Sequence, residues 1–251
     1  MQSSVDGITM HHYYVNGRTT DLEEVLNPKI TFDALETKIQ EVVNISCGKD
    51  VWLTESGSAR GGGAPDISNR FVAGFLLLDR LGVAVRNGVK VVNRQSFLSG
   101  KYAMVNVTGG YVPYPDFYLS VLFKRLVSSR VFNAQVVGID GEDGKFRVYA
   151  HCAQRSNPGS IVVIVLNIHD VEKCFTFKNA GSEKIEAFIL KPGEPGNLQS
   201  STVRLNGVLL QMHGNELPRM NGQLMVEMVA VMQPFSFGFF IVRDYESTIC
   251  N

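Results

Sequence analysis

The sequence predicts an α/β unit followed by an all-β unit, with the change of class near residue 130. Two textures and one short stretch carry that reading. Before residue 130, short apolar runs alternate with patterns of helical spacing, the order that produces parallel strands joined by helical crossovers. Beyond it, strand-like runs follow one another with turn residues between them, which argues for an antiparallel sandwich. The stretch is Asp50-Val-Trp-Leu-Thr-Glu55, in which an apolar strand over 51–53 runs onto one carboxylate. A loop over 56–65 follows, with glycine at Gly57, Gly61, Gly62 and Gly63.

Composition sets the outer limits. A chain of 251 residues, 45% hydrophobic and 19% charged, can bury a sizeable core as one large domain or two modest ones. Lys plus Arg equals Asp plus Glu at 24 each, which argues against a general nucleic-acid binder and leaves polyanion binding to local clusters. No run of 18 apolar residues predicts a membrane span, and residues 1–6 lack the basic and apolar regions of a signal peptide. Cys47, Cys152, Cys174 and Cys250 have no metal-ligand spacing, and neither a metal nor a cofactor is expected. Two sequons, at Asn44 and Asn106, are candidate glycosylation sites that lean towards a secreted protein, against the missing signal peptide.

Taken in order, residues 7–15 read as a strand, broken by Asn16-Gly17-Arg18. Over 21–43, Leu22, Val25, Leu26, Ile30, Phe32, Leu35, Ile39 and Val42 recur at helical spacing, interrupted near Pro28. After the strand at 51–53, a helix pattern starts at Ser68 with Phe71, Phe75, Leu78 and Leu81 on one face, and stops at Gly82. Residues 89–92 form another short buried strand, with Arg94-Gln95-Ser96-Phe97 at its carboxyl end. A loop holding Tyr102, Pro113 and Pro115 leads to a helix over 117–127, capped by Asp116. The later strands fall at 146–151, 160–168, 174–177, 184–190, 202–205, 208–212 and 235–242. Among them Leu205-Asn-Gly-Val208 is a strong hairpin signal.

Three strand–helix units with right-handed crossovers are too few for a closed (β/α)8 barrel. Two arrangements follow: a small three-layer sheet, or the last part of a barrel whose first part is missing. An acidic residue at the carboxyl end of a barrel strand is where such a fold keeps its chemistry, which singles out Glu55. The rival reading is a solvated glutamate at a strand end.

The residues also carry a resemblance. Met10-His-His-Tyr-Tyr-Val-Asn-Gly-Arg18, Val51-Trp-Leu-Thr-Glu-Ser56 and Gly61-Gly62-Gly63 resemble the heparanase family, glycoside hydrolase family 79. Ala73-Gly-Phe75, Leu78-Asp79, Leu81-Gly82, Arg94-Gln95, Tyr114-Pro-Asp116, Leu119-Ser120, Arg147-Val-Tyr149, His151-Cys152 and Leu205-Asn-Gly207 match in the same order. The similarity runs in register from about residue 5 to the C-terminus.

The resemblance implies the C-terminal portion of a (β/α)8 TIM barrel, about strands six to eight, over residues 1–130. An antiparallel β-sandwich would cover 131–251. It implies a retaining endo-β-glucuronidase acting on heparan sulfate or a related glucuronate-containing polysaccharide. The alternative is a non-catalytic heparan sulfate-binding or interaction protein of the same family. Retaining glycosidases use two carboxylates about 5–5.5 Å apart. Glu55 matches the nucleophile; the family's acid/base glutamate follows an asparagine in a segment upstream of Met1. The chain alone is therefore expected to be inactive, with the missing N-terminal barrel segment as its partner. The only Asn-Glu here, Asn215-Glu216, is expected to be an accidental surface pair.

Gly61 and Gly62 match glycines whose amides face the uronate carboxylate, and Tyr102 a tyrosine that hydrogen-bonds it. Gln95 matches a polar residue at the last strand's end; plain packing is the rival reading for both Tyr102 and Gln95. His11 and Tyr13 would orient Glu55 or touch sugar hydroxyls, a structural histidine being the rival reading. Arg18 matches a basic residue suited to sulfate or carboxylate. Cys152 and Cys250 match a disulfide tying down the C-terminus, a cross-link of about 3–5 kcal/mol in the chain-entropy model. Cys47 and Cys174 have no assigned partner, and His169 and His213 read as surface residues. The full-length parent would be secreted or lysosomal, meeting matrix or membrane through proteoglycans. Two departures stand out: Arg60 where an aromatic is usual, and an acidic stretch over 138–145 where vertebrate members are basic.

Overall fold

The computed structural model describes residues 5–108, 110–138, 143–154, 158–178, 184–226, 229–243, 245 and 250. Four residues of the acidic stretch, 139–142, lie outside these.

The first half holds β1 (Gly7–Asn16), α1 (Leu22–Val25), α2 (Phe32–Ile45), β2 (Asp50–Arg60), α3 (Ala73–Arg86) and β3 (Val91–Arg94). A small hairpin of β4 (Val105–Asn106) and β5 (Val112–Pro113) precedes α4 (Pro115–Leu126). The strands β1, β2 and β3 form one parallel sheet in that order, as the alternation of strand and helix requires. Asp21 starts α1 by accepting the Glu24 amide at 2.9 Å. Pro28 then lies in the gap before α2, bridged by the Thr31 hydroxyl, which donates to the Asn27 carbonyl at 2.8 Å.

Several sequence expectations are corrected. Strand β2 does not stop at Glu55 but runs on to Arg60, so residues 56–60 are strand rather than loop. Small residues at Gly57, Ser58 and Ala59 hid this, because they carry little strand propensity of their own. Helix α3 starts at Ala73, five residues after Ser68, and passes through Gly82 to Arg86. Helix α4 begins at Pro115, a favoured first-turn position, with Tyr114 rather than Asp116 at the cap. The Asp116 carboxylate is drawn instead to Arg94. The loop before α4 contains the β4–β5 hairpin, and the third strand is displaced by two residues from 89–92.

The second half begins without a linker, since α4 hands over at Val127 to β6 (Val127–Phe132). It continues with β7 (Phe146–Ala153), β8 (Ile161–Asn167), β9 (Lys173–Phe175), β10 (Ile185–Pro192), β11 (Val203–Leu205) and β12 (Val208–Leu209). Last come β13 (Gln223–Leu224), β14 (Ala230–Met232) and β15 (Ser236–Val242). An antiparallel sheet runs β12-β11-β10-β15-β8-β7-β6, with β13 also on β10, while β9 and β14 form a separate ribbon. The predicted hairpin closes with Leu205 opposite Val208, and both Asn206 and Gly207 adopt positive φ.

Every residue of β8 and β15 is buried, because both faces of the sheet are covered. Val162, Ile164 and Leu166 point into the core shared with α3 and α4, whereas Ile161, Val163 and Val165 face a second core containing Ala230 and Met232. This period-two split is what makes the strands continuously apolar in sequence. Helix α3 comes so close to the sheet that a Cβ at Gly74 would stand 2.5 Å from Phe237. Two turns later, a Cβ at Gly82 would enter the Tyr149 ring. No helix among the described residues is long and apolar enough to cross a membrane.

Candidate active site

Glu55 lies at a bulge. On one side of β2, Met10 pairs with Leu53 and His11 with Glu55, leaving Thr54 over. On the other, Leu53 pairs with Val92 and Ser56 with Arg94, so Thr54 and Glu55 oppose Asn93 alone. An extra residue in one strand kinks it and re-aims a side chain, a device found beside active sites. The bulge is pinned downstream: the Ser56 hydroxyl donates to the Asn93 carbonyl at 2.8 Å, and the Gln95 amide donates to the Ser56 carbonyl at 2.8 Å.

The Glu55 carboxylate has two side-chain partners among the described residues. Tyr13 donates its hydroxyl to Oε1 at 2.7 Å, and His11 Nδ1 stands 3.8 Å from Oε2. The carboxylate remains open to solvent, with 39% of its side chain exposed, so a ligand can reach it. Burial, and after it the bond to Glu55, pushes the Tyr13 hydroxyl above the ordinary phenol range. The Tyr13 ring lies against Gly57, where a Cβ would come within 2.7 Å of it. Tyr102 stacks beyond it, with ring centroids 6.3 Å apart.

The glycine loop closes the same side. Gly61, Gly62 and Gly63 all take positive φ, at 82°, 89° and 91°, a run that side chains would strain. Gly63 is further restricted because a Cβ would lie 2.8 Å from the Tyr102 amide. The Gly62 carbonyl accepts from the Lys101 amide at 2.7 Å, and Gly17 donates to the Arg60 carbonyl at 3.0 Å. Among the described residues the Gly61 and Gly62 amides donate to no protein group. Arg18, beside Gly17, is exposed, and among the described residues its guanidinium has no ion-pair partner. Gln95 is half-buried at the end of β3.

The structure thus brings Tyr13 and His11 to Glu55, and Tyr102 to the Tyr13 ring and the glycine loop. Gln95 directly follows β3, and Arg18 follows Gly17, which is bonded to Arg60. Sequence reasoning named Arg94 only as a strand-end residue and family match, and missed Arg80; it gave neither of them the role of holding the site together. Arg94 grips Asp116 through Nη2 at 2.6 Å and Nε at 3.1 Å, and donates Nη1 to the carbonyls of Tyr102 at 2.8 Å and Ser96 at 3.1 Å. It ties β3, the 95–102 loop and α4 together. Arg80 reaches from α3 to the Gly57 carbonyl at 2.6 Å. Neither had a local signal, since their partners are 22 and 23 residues away.

Elsewhere, Cys152 and Cys250 are joined by a disulfide with Cα atoms 5.4 Å apart, while Cys47 and Cys174 are exposed free thiols. Asn44 is exposed at the end of α2; Asn106 is half-buried in β4, its Oδ1 accepting the Thr108 hydroxyl at 3.0 Å. Asn215 and Glu216 are exposed on the far half. His213 is also at the surface, but His169 is largely buried, 3.6 Å from Asp143, which corrects its surface reading. Among the described residues no group of three or more His, Cys, Asp or Glu is arranged to hold a metal.

Comparison with known proteins gives the setting. Residues 1–82 match the model for the N-terminal domain of glycosyl hydrolase family 79. The chain is 40% identical to heparanase of Gallus gallus, over 98% of this chain and 49% of that one. It is 33% identical to a hyaluronoglucuronidase of Hirudo nipponia, over 98% and 52% respectively. It is 31% identical to inactive heparanase-2 of Homo sapiens, over 99% and 45%. The chain spans about half the length of the curated relatives it matches. Among solved structures, a 4-O-α-L-rhamnosyl-β-D-glucuronidase from Fusarium oxysporum superposes with a TM-score of 0.68 at 14% identity, over 95% of this chain and 53% of that one. A family 39 β-xylosidase from Caulobacter crescentus gives 0.54 at 11% identity, over 96% and 52%. These neighbours show a fold of the glycoside hydrolase barrel type, mixed in helix and sheet. With a family 79 domain over residues 1–82 and 40% identity to a heparanase along 98% of its length, the chain belongs to glycosyl hydrolase family 79 as a heparanase-like member.

Proposed function

We propose that this chain carries the nucleophile of a retaining endo-β-glucuronidase acting on heparan sulfate or a related glucuronate-containing polysaccharide. The observation that carries the reading is Glu55 itself: bulged out of β2, half-exposed, and oriented by Tyr13 and His11. In this reading the first half is the last three units of a (β/α)8 barrel and the second half a β-sandwich. The parallel order of β1, β2 and β3, and the all-antiparallel sheet after them, support that division.

Glu55 attacks the anomeric carbon as the leaving-group oxygen takes a proton, forming a glycosyl ester; water then cleaves the ester and regenerates the carboxylate. The acid/base glutamate, assigned upstream of residue 1, gives the first proton and activates the water. Tyr13 holds Oε1 so that Oε2 faces the sugar. The unengaged amides of Gly61 and Gly62, with Tyr102 and Arg18 beside them, receive the uronate carboxylate and neighbouring sulfates. The Cys152–Cys250 disulfide is consistent with a secreted or lysosomal protein, with Asn44 and Asn106 as glycan acceptors.

The test is heparan sulfate cleavage by the naturally produced protein beside a Glu55→Gln variant. Loss of turnover by at least about 1,000-fold is expected. Cleavage that survives the substitution overturns the nucleophile assignment. A non-catalytic polysaccharide-binding role is the second reading, favoured by the 31% identity to a relative named inactive heparanase-2. Heparin retention by a preparation that never cleaves supports it.

A further inference from the structure

Arg80 is the largest fully buried side chain of the described residues, and no part of the proposed chemistry uses it. A guanidinium removed from water is costly unless its donors are met and its charge is matched. Nη2 donates to the Gly57 carbonyl at 2.6 Å, the Tyr14 ring lies 4.8 Å below the guanidinium, and among the described residues Nε has no hydrogen-bond partner. Among the described residues no carboxylate comes within ion-pair distance. Burial accordingly pulls the Arg80 pKa below its usual value. A side chain needed for volume alone would be served by leucine or methionine.

What the guanidinium fixes is the strand segment just past Glu55. Gly57 is two residues beyond the nucleophile, and the ring that donates to Glu55 Oε1 rests on it. The contact sequence runs from Arg80 to the Gly57 carbonyl, from Gly57 to the Tyr13 ring, and from the Tyr13 hydroxyl to Glu55. The neighbouring residue anchors the other side of the same helix. Asp79 accepts from Arg147 Nε at 2.6 Å and from the Tyr149 hydroxyl, both on β7. Consecutive helical residues lie about 100° apart around the axis, so one turn of α3 binds the nucleophile strand and the antiparallel sheet at once.

We infer that Arg80 is a positioning residue for Glu55, holding the Gly57 carbonyl and through it Tyr13, with Asp79 anchoring that turn of α3 to the second half of the protein. The inference rests on the reading of Glu55 as the nucleophile. Its geometric part is testable without turnover.

Selectively 13C-labelled glutamate in the full chain gives a Glu55 carboxylate signal, assigned by its loss in Glu55→Gln and moved by Tyr13→Phe. Arg80→Met is expected to move that signal in the same direction as Tyr13→Phe, with Arg80→Lys lying between Arg80→Met and wild type. Phe75→Leu, which loosens α3 against Phe237 without touching Gly57, is expected to leave it in place. Where turnover is measurable, Arg80→Met should lower kcat by about 10- to 100-fold with KM within about 3-fold, and Arg80→Lys should recover part of it. A Glu55 signal unchanged in Arg80→Met, while Tyr13→Phe moves it, overturns the proposal, as does an equal shift in Phe75→Leu. If Arg80→Met does not fold, Arg80→Lys decides: an unmoved Glu55 signal and wild-type kcat overturn the proposal. A wild type that never cleaves counts against the hydrolase reading alone, and the labelled spectra still decide Arg80.

Discussion

Tyr13 of β1 donates a 2.7 Å hydrogen bond to Oε1 of Glu55 on β2, across a strand pair whose register shifts at that point. Without the bulge, Glu55 would be one residue out of step and would face the other side of the sheet. The bond leaves Oε2, with His11 Nδ1 3.8 Å away, as the oxygen that accepts no hydrogen bond among the described residues. Tyr13→Phe keeps the ring on Gly57 and removes only the donor. Turnover is expected to fall by about 10- to 100-fold with KM little changed. Burial first, then the Glu55 bond, holds the Tyr13 hydroxyl above the ordinary phenol range, so it remains a donor across neutral pH. The pH–rate profile of Tyr13→Phe should therefore run parallel to wild type between pH 5 and 9. A loss that appears only at one end of that range would contradict this role.

His12 points to the opposite side of β1 and titrates differently. Burial, then the Arg80 and Lys38 charges, lowers its pKa from 6.5 to about 4. An unfolded chain takes up the proton at higher pH than the folded one. The His12 contribution is therefore complete above about pH 6.5 and is lost as pH falls through about 4. The full difference is about 3 kcal/mol. Urea unfolding at pH 7.5 and 4.5 should show a drop that His12→Gln reduces. Equal drops in both proteins would remove His12 from the acid response.

Gly82 invites a sign test. In an exposed helix, Gly→Ala stabilises by about 1 kcal/mol. At Gly82 the new methyl would enter the Tyr149 ring, and that ring is pinned by its hydroxyl to Asp79. Gly82→Ala should therefore destabilise by about 1–3 kcal/mol, measured by denaturant midpoint at unchanged m-value. Stabilisation instead would mean that α3 can back away from the sheet.

These residues show how far the sequence could be read. Glu55 was legible because a short apolar run ending on a carboxylate is a local pattern. The strand beyond it was not, since Gly57 is small for a reason set by Tyr13, 44 positions before it in the chain. Gly82 reads as a helix stop in the sequence, because its need for closeness comes from Tyr149. Asp116 had the position and chemistry of a cap, but Arg94 offers its carboxylate two charged donors, a stronger claim than a backbone amide. The all-β half was easily placed, because burial on both sheet faces leaves continuous apolar runs. Arg80 left no local trace, and Asp79 entered only as part of the resemblance, with no partner to be read from it.

The Asp79–Arg147 pair joins the two halves and makes the third stability prediction. Asp79 is fully buried, and desolvation raises its pKa against the pull of Arg147 and Tyr149. Arg147 also reaches Asp33 at 3.2 Å and stands 5.3 Å over the Phe32 ring. Removing one partner strands a buried charge. Arg147→Met should cost about 3–5 kcal/mol, and Asp79→Leu less than that, because Arg147 keeps Asp33. The double variant should cost clearly less than their sum, because neither charge is then left unpaired. Additive losses in thermal or urea unfolding would mean that the two residues act independently.

The disulfide cross-links two residues of the second half that lie 98 apart in sequence. It pins Cys250 to β7, the strand that also carries Arg147 and Tyr149. Loop closure of that length removes about 4–5 kcal/mol of unfolded-state entropy in the chain-entropy model, with measured values commonly lower. Cys250→Ser should therefore lower stability by about 2–5 kcal/mol. Cys47 and Cys174 are exposed and unpaired, so reduction of the wild type should reproduce the Cys250→Ser loss without adding to it. A further fall on reducing Cys250→Ser would show that another cysteine pairing contributes. If neither treatment lowers the unfolding midpoint, the cross-link adds nothing to the fold, and the sheet alone holds β7 against α3.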